Sequence, residues 1–335
     1  MTDIEAITQR RSVDVADVAT ELAELWRHAD DSDEGAAVVR ACGLTIVAMA
    51  HDPEEGDEIA ALLASATAMV PARTLVVVRN ERAEGGLSAS VSAFCSLGPG
   101  GKQVCQEQVF LEADPDHWPA LPSLIGALPV ADLPVVLLAR DPAQLDDPTV
   151  EALLPAIDLV VTDLARGDVP HDDLNRARAV LDESNVALRD LAFERLVVWR
   201  SAIACAWDRV AVGSTSLRAV AMSGPEDDLE ATLLTAWIES LLRHEPSPPK
   251  IARSTDANAP HLRAVRLEFE VDGRVEAVGL ERHGEHVVER RRDDDEHGSC
   301  ALPRPIPSDA ELLPGLLADP QSDPIHVDAL RRAAD

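Results

Sequence analysis

Apolar residues near the start of the chain recur at the spacing of one helical face. The segment SVDVADVATELAELWRHA predicts an amphipathic helix, for which Ser12 is a candidate N-cap. The residues that share its apolar face are Val15, Val18, Leu22, Leu25 and Trp26. The acidic run DDSDEG ends this pattern.

The pattern then changes to short apolar runs that alternate with helical stretches. AAVVRACGLTIVAMA and TLVVVRN are rich in β-branched residues, which favours buried strands, and between them lies a helix-like segment that Pro71 ends. Further along, the short runs VVLLA and IDLVVTD are again separated by helix-like residues. This alternation predicts a sheet with parallel strand pairs and flanking helices.

The second half of the chain has a different order of elements. A long helical region from Leu174 to Asp208 precedes a strand, SLRAVAM, and a helix, EDDLEATLLTAWIESLLRH. Alternating residues then predict an antiparallel meander with a hairpin turn at Asp272-Gly273, and a Pro-rich tail carries two short helices. We therefore expect an N-terminal helical segment (1–35), an α/β domain with a mixed sheet (36–209) and a smaller α+β domain (210–335).

The stretch FCSLGPGGKQVCQEQ has the composition of a phosphate loop, a metal site or a turn. A phosphate loop requires G-x-x-x-x-G-K-[ST] between a strand and a helix, but Ser96 stands at the first glycine position and Gln103 at the last position. Residues alternate on both sides of the glycines, as they do in a β-hairpin. The stretch is therefore predicted to be a turn that joins two antiparallel strands.

Folding this hairpin about Gly100 brings Cys95 and Cys105 opposite each other. Three interpretations follow: a cross-strand redox pair, half of a metal site, or two small buried apolar side chains. We favour the packing interpretation because free cysteine is among the most buried residue types and no feature that lowers a thiol pKa adjoins the pair.

Charge and composition exclude several classes of function. The chain of 335 residues carries 30 Lys and Arg against 60 Asp and Glu, a formal net charge of -30. Nucleic acids and anionic membranes need basic surfaces, so neither is an expected partner. No apolar run has the length of a membrane span and the first residues lack a signal-peptide core, so we expect a cytoplasmic protein whose five cysteines are reduced.

Candidate catalytic and metal sites are weak. No G-x-G-x-x-G enters a helix and no G-x-S-x-G is present, so neither a dinucleotide nor a serine nucleophile is indicated and no cofactor is expected. His51, His117 and His171 adjoin turn residues and are interpreted as surface histidines. The spacing H-G-E-H followed by H-G-S-C has the residue types of a zinc site, but the segment is polar and charged, which favours surface residues. These four positions are His283, His286, His297 and Cys300.

The segment DLAFERLVVWRSAIACAWD (190–208) is the most specific pattern in the chain. Its apolar residues recur near helical spacing, and Trp199 and Arg200 are residue types that often anchor protein interfaces. Arg195 lies one helical turn before Trp199, at the spacing of a cation–π pair. A core tryptophan beside an internally paired arginine explains the pattern equally well, so both interpretations stay open.

This segment resembles the signature of the OpcA family of glucose-6-phosphate dehydrogenase assembly proteins, which is about D-L-x-W-x-R-L-x-x-W-R. Phe193 stands where tryptophan is usual. Three other segments resemble the family in the same order: the strand and hairpin with a C-x-E element at Cys105 and Glu107, the segment DLPVVLLARDP, and the helix TAWIESLL. The chain departs from the family at Leu138 and Ala139, where a Trp-Trp pair is usual.

The resemblance implies a non-catalytic bacterial protein that binds glucose-6-phosphate dehydrogenase and promotes its assembly or allosteric activation in the oxidative pentose phosphate pathway. It also suggests a partner-binding role for Asp190, Arg195, Trp199 and Arg200. The alternative is an α/β enzyme that binds a phosphosugar or a nucleotide in a site built from loops at the carboxyl edge of the sheet. The net charge of -30 disfavours that alternative because it repels anions.

Overall fold

A computed structural model of the chain describes residues 5–6, 11–31, 38–82, 86–97, 103–210, 215–243, 247–291 and 304–335. The chain divides into two compact units, and each unit contains several separate stretches of sequence. Unit 1 consists of Met1–Asp163, Ala179–Arg189 and Asp309–Ser322. Unit 2 consists of Leu164–Arg178, Asp190–Ser308 and Asp323–Asp335. The domain boundaries expected from the sequence, at residues 35 and 209, stay a prediction.

The first sheet is mixed, as the alternation of strands and helices predicts. In the described part of the chain its strands are β1 (Glu5–Ala6), β2 (Arg11–Val13), β3 (Val38–Arg40), β4 (Leu44–Ala50), β5 (Ala72–Arg79), β6 (Leu87–Leu97), β7 (Gln103–Ala113), β8 (Val135–Ala139), β9 (Leu159–Thr162) and β10 (Ala187–Asp190). Their order is β1-β6-β7-β5-β4-β8-β9-β10, with β2 paired to β6 and β3 paired to β7. The strands β7, β5, β4, β8 and β9 run parallel.

The central strands of this sheet, β4 and β8, are fully buried. Every residue of β4 and of β8 is buried, because each strand has neighbours on both edges and both of its faces are covered. The helix α2 (Pro53–Thr67) packs on β4 and β5, and α9 (Asp309–Ala318) packs on α2. The predicted βαβ architecture is confirmed.

The predicted hairpin is also confirmed. The strands β6 and β7 pair in antiparallel register from Leu87–Ala113 to Leu97–Gln103. The turn itself, residues 98–102, lies outside the described residues.

Two helix predictions need correction. Ser12 lies in β2 and is not a helix N-cap; Asp14 instead caps a short 3-10 turn before α1 (Val18–Asp31). The region 174–208 is not one helical stretch, because β10 separates α5 (Pro170–Glu183) from α6 (Leu191–Arg195) and α7 (Val197–Val210).

Unit 2 contains the second sheet, which is mostly antiparallel. Its strands are β11 (Thr215–Gly224), β12 (Lys250–Thr255), β13 (Ala264–Val271), β14 (Arg274–His283), β15 (His286–Arg291) and β16 (Arg304–Pro305), in the order β12-β11-β13-β14-β15-β16. The predicted meander corresponds to β13, β14 and β15. Positive φ angles at Asp272 and Gly273 form the expected turn between β13 and β14. The edge strand β12 was not predicted; it pairs parallel to β11.

Helices cover one face of this second sheet. The helix α7 contacts β13, β14 and β15, and α8 (Leu229–Leu241) contacts β11 and α10 (Pro324–Ala333). Buried residues such as Val220, Leu267 and Phe269 alternate with exposed ones such as Ala221 and Arg266. In the described residues, no helix combines the length and the apolar character needed to cross a membrane.

Candidate functional site

The candidate site lies at the carboxyl edge of the parallel strands in unit 1. Open α/β sheets generally bind their ligands at this edge. The chain passes from β4 to β5 on one side and later places β8 on the other side of β4, so the strand order reverses at β4. A polar cavity of about 780 Å³ lies over the ends of β4 and β5. Its lining residues are His51, Asp52, Pro53, Glu54, Arg79, Asn80, Glu81, Arg82 and Trp118.

The chain's own carboxylates occupy the N-terminus of α2, which borders this cavity. The backbone N–H of Glu55 donates to Asp52 Oδ1 at 2.9 Å, and the N–H of His51 donates to Glu55 Oε2 at 2.8 Å. Pro53, in the first turn, has no N–H to donate. A helix N-terminus attracts anions, but here two of the available donors are already bonded to negative side chains.

The six residues after β4, His51 to Gly56, have the spacing of a G-x-G-x-x-G loop with only the third glycine present. A β-carbon on Gly56 would lie 2.7 Å from Val78 Cγ2 and 2.8 Å from Phe110 Cζ, so glycine is needed for α2 to approach the sheet. His51 stands where the first glycine would allow the tight turn, and Pro53 stands where the second would let a pyrophosphate approach the backbone. The loop keeps the glycine for packing and has side chains where the dinucleotide would bind.

An imidazole–carboxylate pair also lies at this cavity. His51 Nε2 lies 3.0 Å from Asp141 Oδ2, and Gln144 Nε2 lies 3.3 Å from the same imidazole nitrogen. A carboxylate that orients an imidazole is one component of a general-base site. Among the described residues that line the cavity, however, there is no serine, threonine, cysteine or lysine to act as a nucleophile.

Arg79 and Arg82 both line the cavity, and other side chains hold the first of them. The Arg79 guanidinium stacks 3.9 Å from the centroid of the Trp118 ring and forms an ion pair with Asp147. Burial lowers the pKa of Arg79, and the charge of Glu81 acts in the opposite direction. Because these contacts fix the guanidinium, it is not poised to neutralise a phosphate.

A second histidine, His117, directly precedes Trp118, which lines the cavity. Its Nδ1 lies 2.6 Å from Asp114 Oδ1, and this hydrogen bond is the main reason why the pKa of Asp114 is lowered. Both histidine–carboxylate pairs and the stacked Trp118 were not predicted from the sequence. The sequence signal for these pairs is their position, because His51, Asp114 and Asp141 follow the carboxyl ends of β4, β7 and β8.

The signature segment 190–208 lies in unit 2, and much of it is internal. Asp190 is buried and caps α6, accepting hydrogen bonds from the backbone N–H groups of Ala192 and Phe193 and from that of Leu164. Trp199 is only 1% exposed. The four residues suggested for partner binding are therefore not equally accessible.

The two arginines of this segment, Arg195 and Arg200, are half-buried. Arg200 is half-buried and stacks on Phe193 with 4.0 Å between the guanidinium carbon and the ring centroid, while the imidazole of His326 packs against the same ring. Arg195 is also half-buried. Burial means that Asp190 and Trp199 present no surface to a partner in this conformation, whereas contact through Arg195 and Arg200 stays a prediction.

The cysteine pair spans β6 and β7, and the C-x-E element lies on β7. The register places Cys95 opposite Cys105, and Cys105 is buried and disulfide-bonded. The expectation that all five cysteines are reduced is therefore wrong for Cys105. Glu107 is buried and accepts a hydrogen bond from Arg73 Nε at 2.7 Å. Whether the cysteines act as a redox pair or only in packing stays a prediction.

The structure also places the two positions that depart from the family and two of the four candidate zinc ligands. Leu138 and Ala139, which replace the family's Trp-Trp pair, are buried in β8, so this departure changes packing inside the sheet. His283 and His286 face each other across the turn between β14 and β15, and His283 Nε2 lies 3.4 Å from Glu281. His297 and Cys300 lie outside the described residues. No group of metal-binding side chains occurs in the parts of the chain that the structure describes.

Comparison with protein families identifies the chain. The model of the glucose-6-phosphate dehydrogenase subunit N-terminal domain (OpcA) matches residues 64–179, and the model of the corresponding C-terminal domain matches residues 186–330. The chain belongs to the OpcA glucose-6-phosphate dehydrogenase assembly family. The resemblance of the signature segment is thus confirmed. No curated protein sequence matches the chain.

Solved structures with a similar fold belong to more distant proteins. A 3-ketoreductase, KijD10 from Actinomadura kijaniata in complex with NADP and TDP-benzene, is 13% identical with a TM-score of 0.46, covering 87% of this chain and 95% of its own. A dehydrogenase from Chromobacterium violaceum is 9% identical with a TM-score of 0.45, covering 89% and 93%. Gal80p from Saccharomyces cerevisiae, in a super-repressor mutant, is 7% identical with a TM-score of 0.42, covering 87% and 93%. Likeness at this level carries no argument about activity.

Proposed function

We propose that this chain is an accessory protein that binds glucose-6-phosphate dehydrogenase and promotes its assembly or activation, without catalysing a reaction itself. The observation that carries the proposal is the match of both family domains over residues 64–179 and 186–330. The dehydrogenase is the partner that the family's description suggests.

The carboxyl edge of the first sheet supports a non-catalytic role. The hydrogen bonds of Asp52 and Glu55 at the start of α2 use donors that a phosphate would need, and His51 and Pro53 narrow the approach to the backbone. Arg79 is committed to Asp147 and Trp118. These contacts favour an accessory protein over the alternative of a nucleotide- or phosphosugar-binding enzyme.

Activation by such a protein is a difference between two affinities. If the chain binds the active or assembled form of the dehydrogenase more tightly than the inactive form, it shifts the equilibrium by the ratio of the two dissociation constants. A tenfold ratio corresponds to about 1.4 kcal/mol. This mechanism needs a complementary surface and no reactive group.

The direct test combines a binding assay with a rate assay. The purified chain is mixed with the dehydrogenase from the same organism, and complex formation is measured by sedimentation velocity while NADP reduction is followed with glucose 6-phosphate. We expect a complex, together with a higher rate or a lower KM for the sugar phosphate. Absence of a complex and of any kinetic change would contradict the proposal.

A second measurement separates the accessory role from the enzyme alternative. Isothermal titration of the chain alone with NADP should give no saturable heat, because the loop after β4 lacks two of the glycines that a dinucleotide needs. The chain alone should also not reduce NADP with glucose 6-phosphate. Stoichiometric NADP binding to the chain alone would favour the alternative.

A further inference from the structure

An open apolar groove in unit 2 is lined by two tryptophans. It lies between the C-terminal ends of α7 and α8, beside the start of β11, and has a volume of about 250 Å³. Trp207 and Trp237 line it together with Ala204, Leu241 and other apolar side chains. Trp207 comes from the end of the signature segment and Trp237 from TAWIESLL, so two segments that resemble the family meet at this groove.

The groove is formed by fixed side chains and is accessible from solvent. Trp207 packs edge-on against Phe269, with 5.7 Å between the ring centroids and an interplanar angle of 72°. Trp237 is buried, whereas Ala204 is exposed and Leu241 is 54% exposed. The exposed leucine and the half-buried tryptophan leave apolar surface of the groove open to a partner.

A single carboxylate determines the electrostatics of this groove. Asp208 is the one charged residue among the described residues that line it, and it is exposed. In the described part of the chain, Asp208 makes no hydrogen bond and no ion pair. A carboxylate beside indole rings favours a cation, which gains both Coulomb attraction and cation–π contact.

The volume of the groove favours a single side chain over a small molecule as its occupant. Pockets for small molecules usually measure about 300–1,000 Å³, and the volume of this groove falls below that range. Interfaces typically gain most of their affinity from a few such anchors in desolvated pockets. The apolar lining and the carboxylate at Asp208 therefore specify an apolar side chain next to a positive charge.

We propose that the groove between α7 and α8 docks an exposed segment of a partner protein in which a large apolar side chain is adjacent to an arginine or lysine. The partner is the dehydrogenase, and in this respect the inference rests on the proposed function. The apolar side chain enters between Trp207 and Trp237, and the basic residue pairs with Asp208.

The first experiment measures the affinity of groove variants of the full chain for the dehydrogenase. Leu241→Asp and Ala204→Glu place charge in the apolar groove and should weaken binding at least tenfold. Asp208→Asn should weaken binding about three- to tenfold and reduce its dependence on salt, because one charge pair is lost. Matched controls are Val275→Asp, at another exposed apolar residue of unit 2, and Asp227→Asn, at another exposed carboxylate. Both should bind as the wild type does.

The second experiment tests the groove without the dehydrogenase. The chain is labelled with 5-fluorotryptophan at its five tryptophans, and ¹⁹F spectra are recorded during titration with N-acetyl-Phe-Arg-amide or N-acetyl-Phe-Gln-amide. The resonances of Trp207 and Trp237, assigned by Trp→Phe variants, should shift saturably, and the arginine peptide should bind more tightly. The resonances of Trp26, Trp118 and Trp199 should stay in place.

The outcomes separate the two proposals. If the dehydrogenase binds the wild type and the folded groove variants equally well, the docking proposal is overturned while the accessory function stands. If the dehydrogenase does not bind the wild type, the proposed function fails, and the ¹⁹F titration alone decides about the groove. Selective saturable shifts then support a docking site for this chemistry, and their absence overturns it. Should Leu241→Asp fail to fold, Ala204→Glu at the exposed alanine provides the same test.

Discussion

The guanidinium carbon of Arg200 lies 4.0 Å from the centroid of the Phe193 ring; Arg200 matches the family signature, and Phe193 occupies its tryptophan position. The imidazole of His326 approaches the same ring at 4.9 Å. Trp199, next to Arg200, is buried. The signature segment of this chain therefore packs within unit 2, and residue type alone did not distinguish that role from partner contact.

A double-mutant cycle measures this stacking. Arg200→Ala and Phe193→Leu, alone and combined, should show a coupling of about 0.5–2 kcal/mol in the free energy of unfolding by urea, because a partly desolvated cation–π pair is lost. Trp199→Ala should cost about 3–5 kcal/mol as a buried large-to-small change. Coupling near zero would show that the stacked geometry contributes nothing to stability.

The same Arg200 variant tests the predicted partner contact. If Arg200 also contacts the dehydrogenase, Arg200→Ala should weaken the complex at least tenfold under conditions in which circular dichroism shows a fully folded chain. Normal affinity of the folded variant would assign Arg200 to structure only.

Glycine at position 56 is required for packing. Gly56→Ala should lower the free energy of unfolding by about 1–3 kcal/mol, because the added methyl group meets Val78 and Phe110 in a filled space. Gly315→Ala is the matched control: it also lies in a helix, but a β-carbon there has no described neighbour within 4 Å. That variant should gain up to about 1 kcal/mol from helix propensity. Equal effects of both substitutions would contradict the packing argument.

Asp228 makes stability depend on pH. Burial raises the pKa of this carboxyl to about 6, and the charge of Glu230 acts in the same direction. Because the pKa is higher in the folded state than in the unfolded state, its protonated form favours folding. This contribution is complete below about pH 4 and is lost as the pH rises through about 6.

Replacing this carboxyl removes the effect. Asparagine is also a good N-cap, so Asp228→Asn should keep the start of α8. We expect the variant to exceed the wild type by about 1–3 kcal/mol in unfolding free energy at pH 8, and to approach it at pH 4. Urea unfolding at several pH values provides the measurement, and a constant difference across this range would rule out Asp228 as the titrating group.

The disulfide at Cys105 gives a prediction about thiol state. Reductant should lower the unfolding free energy of the wild type by about 2–4 kcal/mol, and Cys105→Ala should abolish this sensitivity. Cys205→Ala, at a free cysteine, should retain it. Comparison of dehydrogenase activation by oxidised and reduced chain then separates the two interpretations: an equal effect indicates packing, and a difference that Cys105→Ala removes indicates a redox pair.

Local signals predicted much of the fold. Apolar β-branched runs predicted β4, β5, β8 and β9, and the Asp-Gly pair at 272–273 predicted the turn between β13 and β14, since these depend on neighbouring residues. The edge strand β12 was missed because its residues are mostly exposed and lack the alternation of a half-buried strand. A strand of this kind is defined by its partner.

The candidate sites were harder to predict because they depend on contacts between distant residues. His51 and Asp141 are 90 residues apart and meet only because β4 and β8 are neighbours. Trp207 and Trp237 line one groove only after α7 and α8 pack on the same sheet. An amphipathic pattern identifies the apolar face of a helix, but it does not tell whether that face contacts its own fold or another protein.

The order in which the chain is synthesised has a consequence for unit 1. The helix α9 packs on α2 within this unit, but roughly 120 residues of unit 2 (190–308) separate α9 from the preceding stretch of unit 1. At about 5–20 residues per second, a ribosome needs about 6–24 s to translate that interval. During this time the surface of α2 that α9 will cover is without its partner helix, so the nascent chain carries an incomplete unit 1 until α9 has been made.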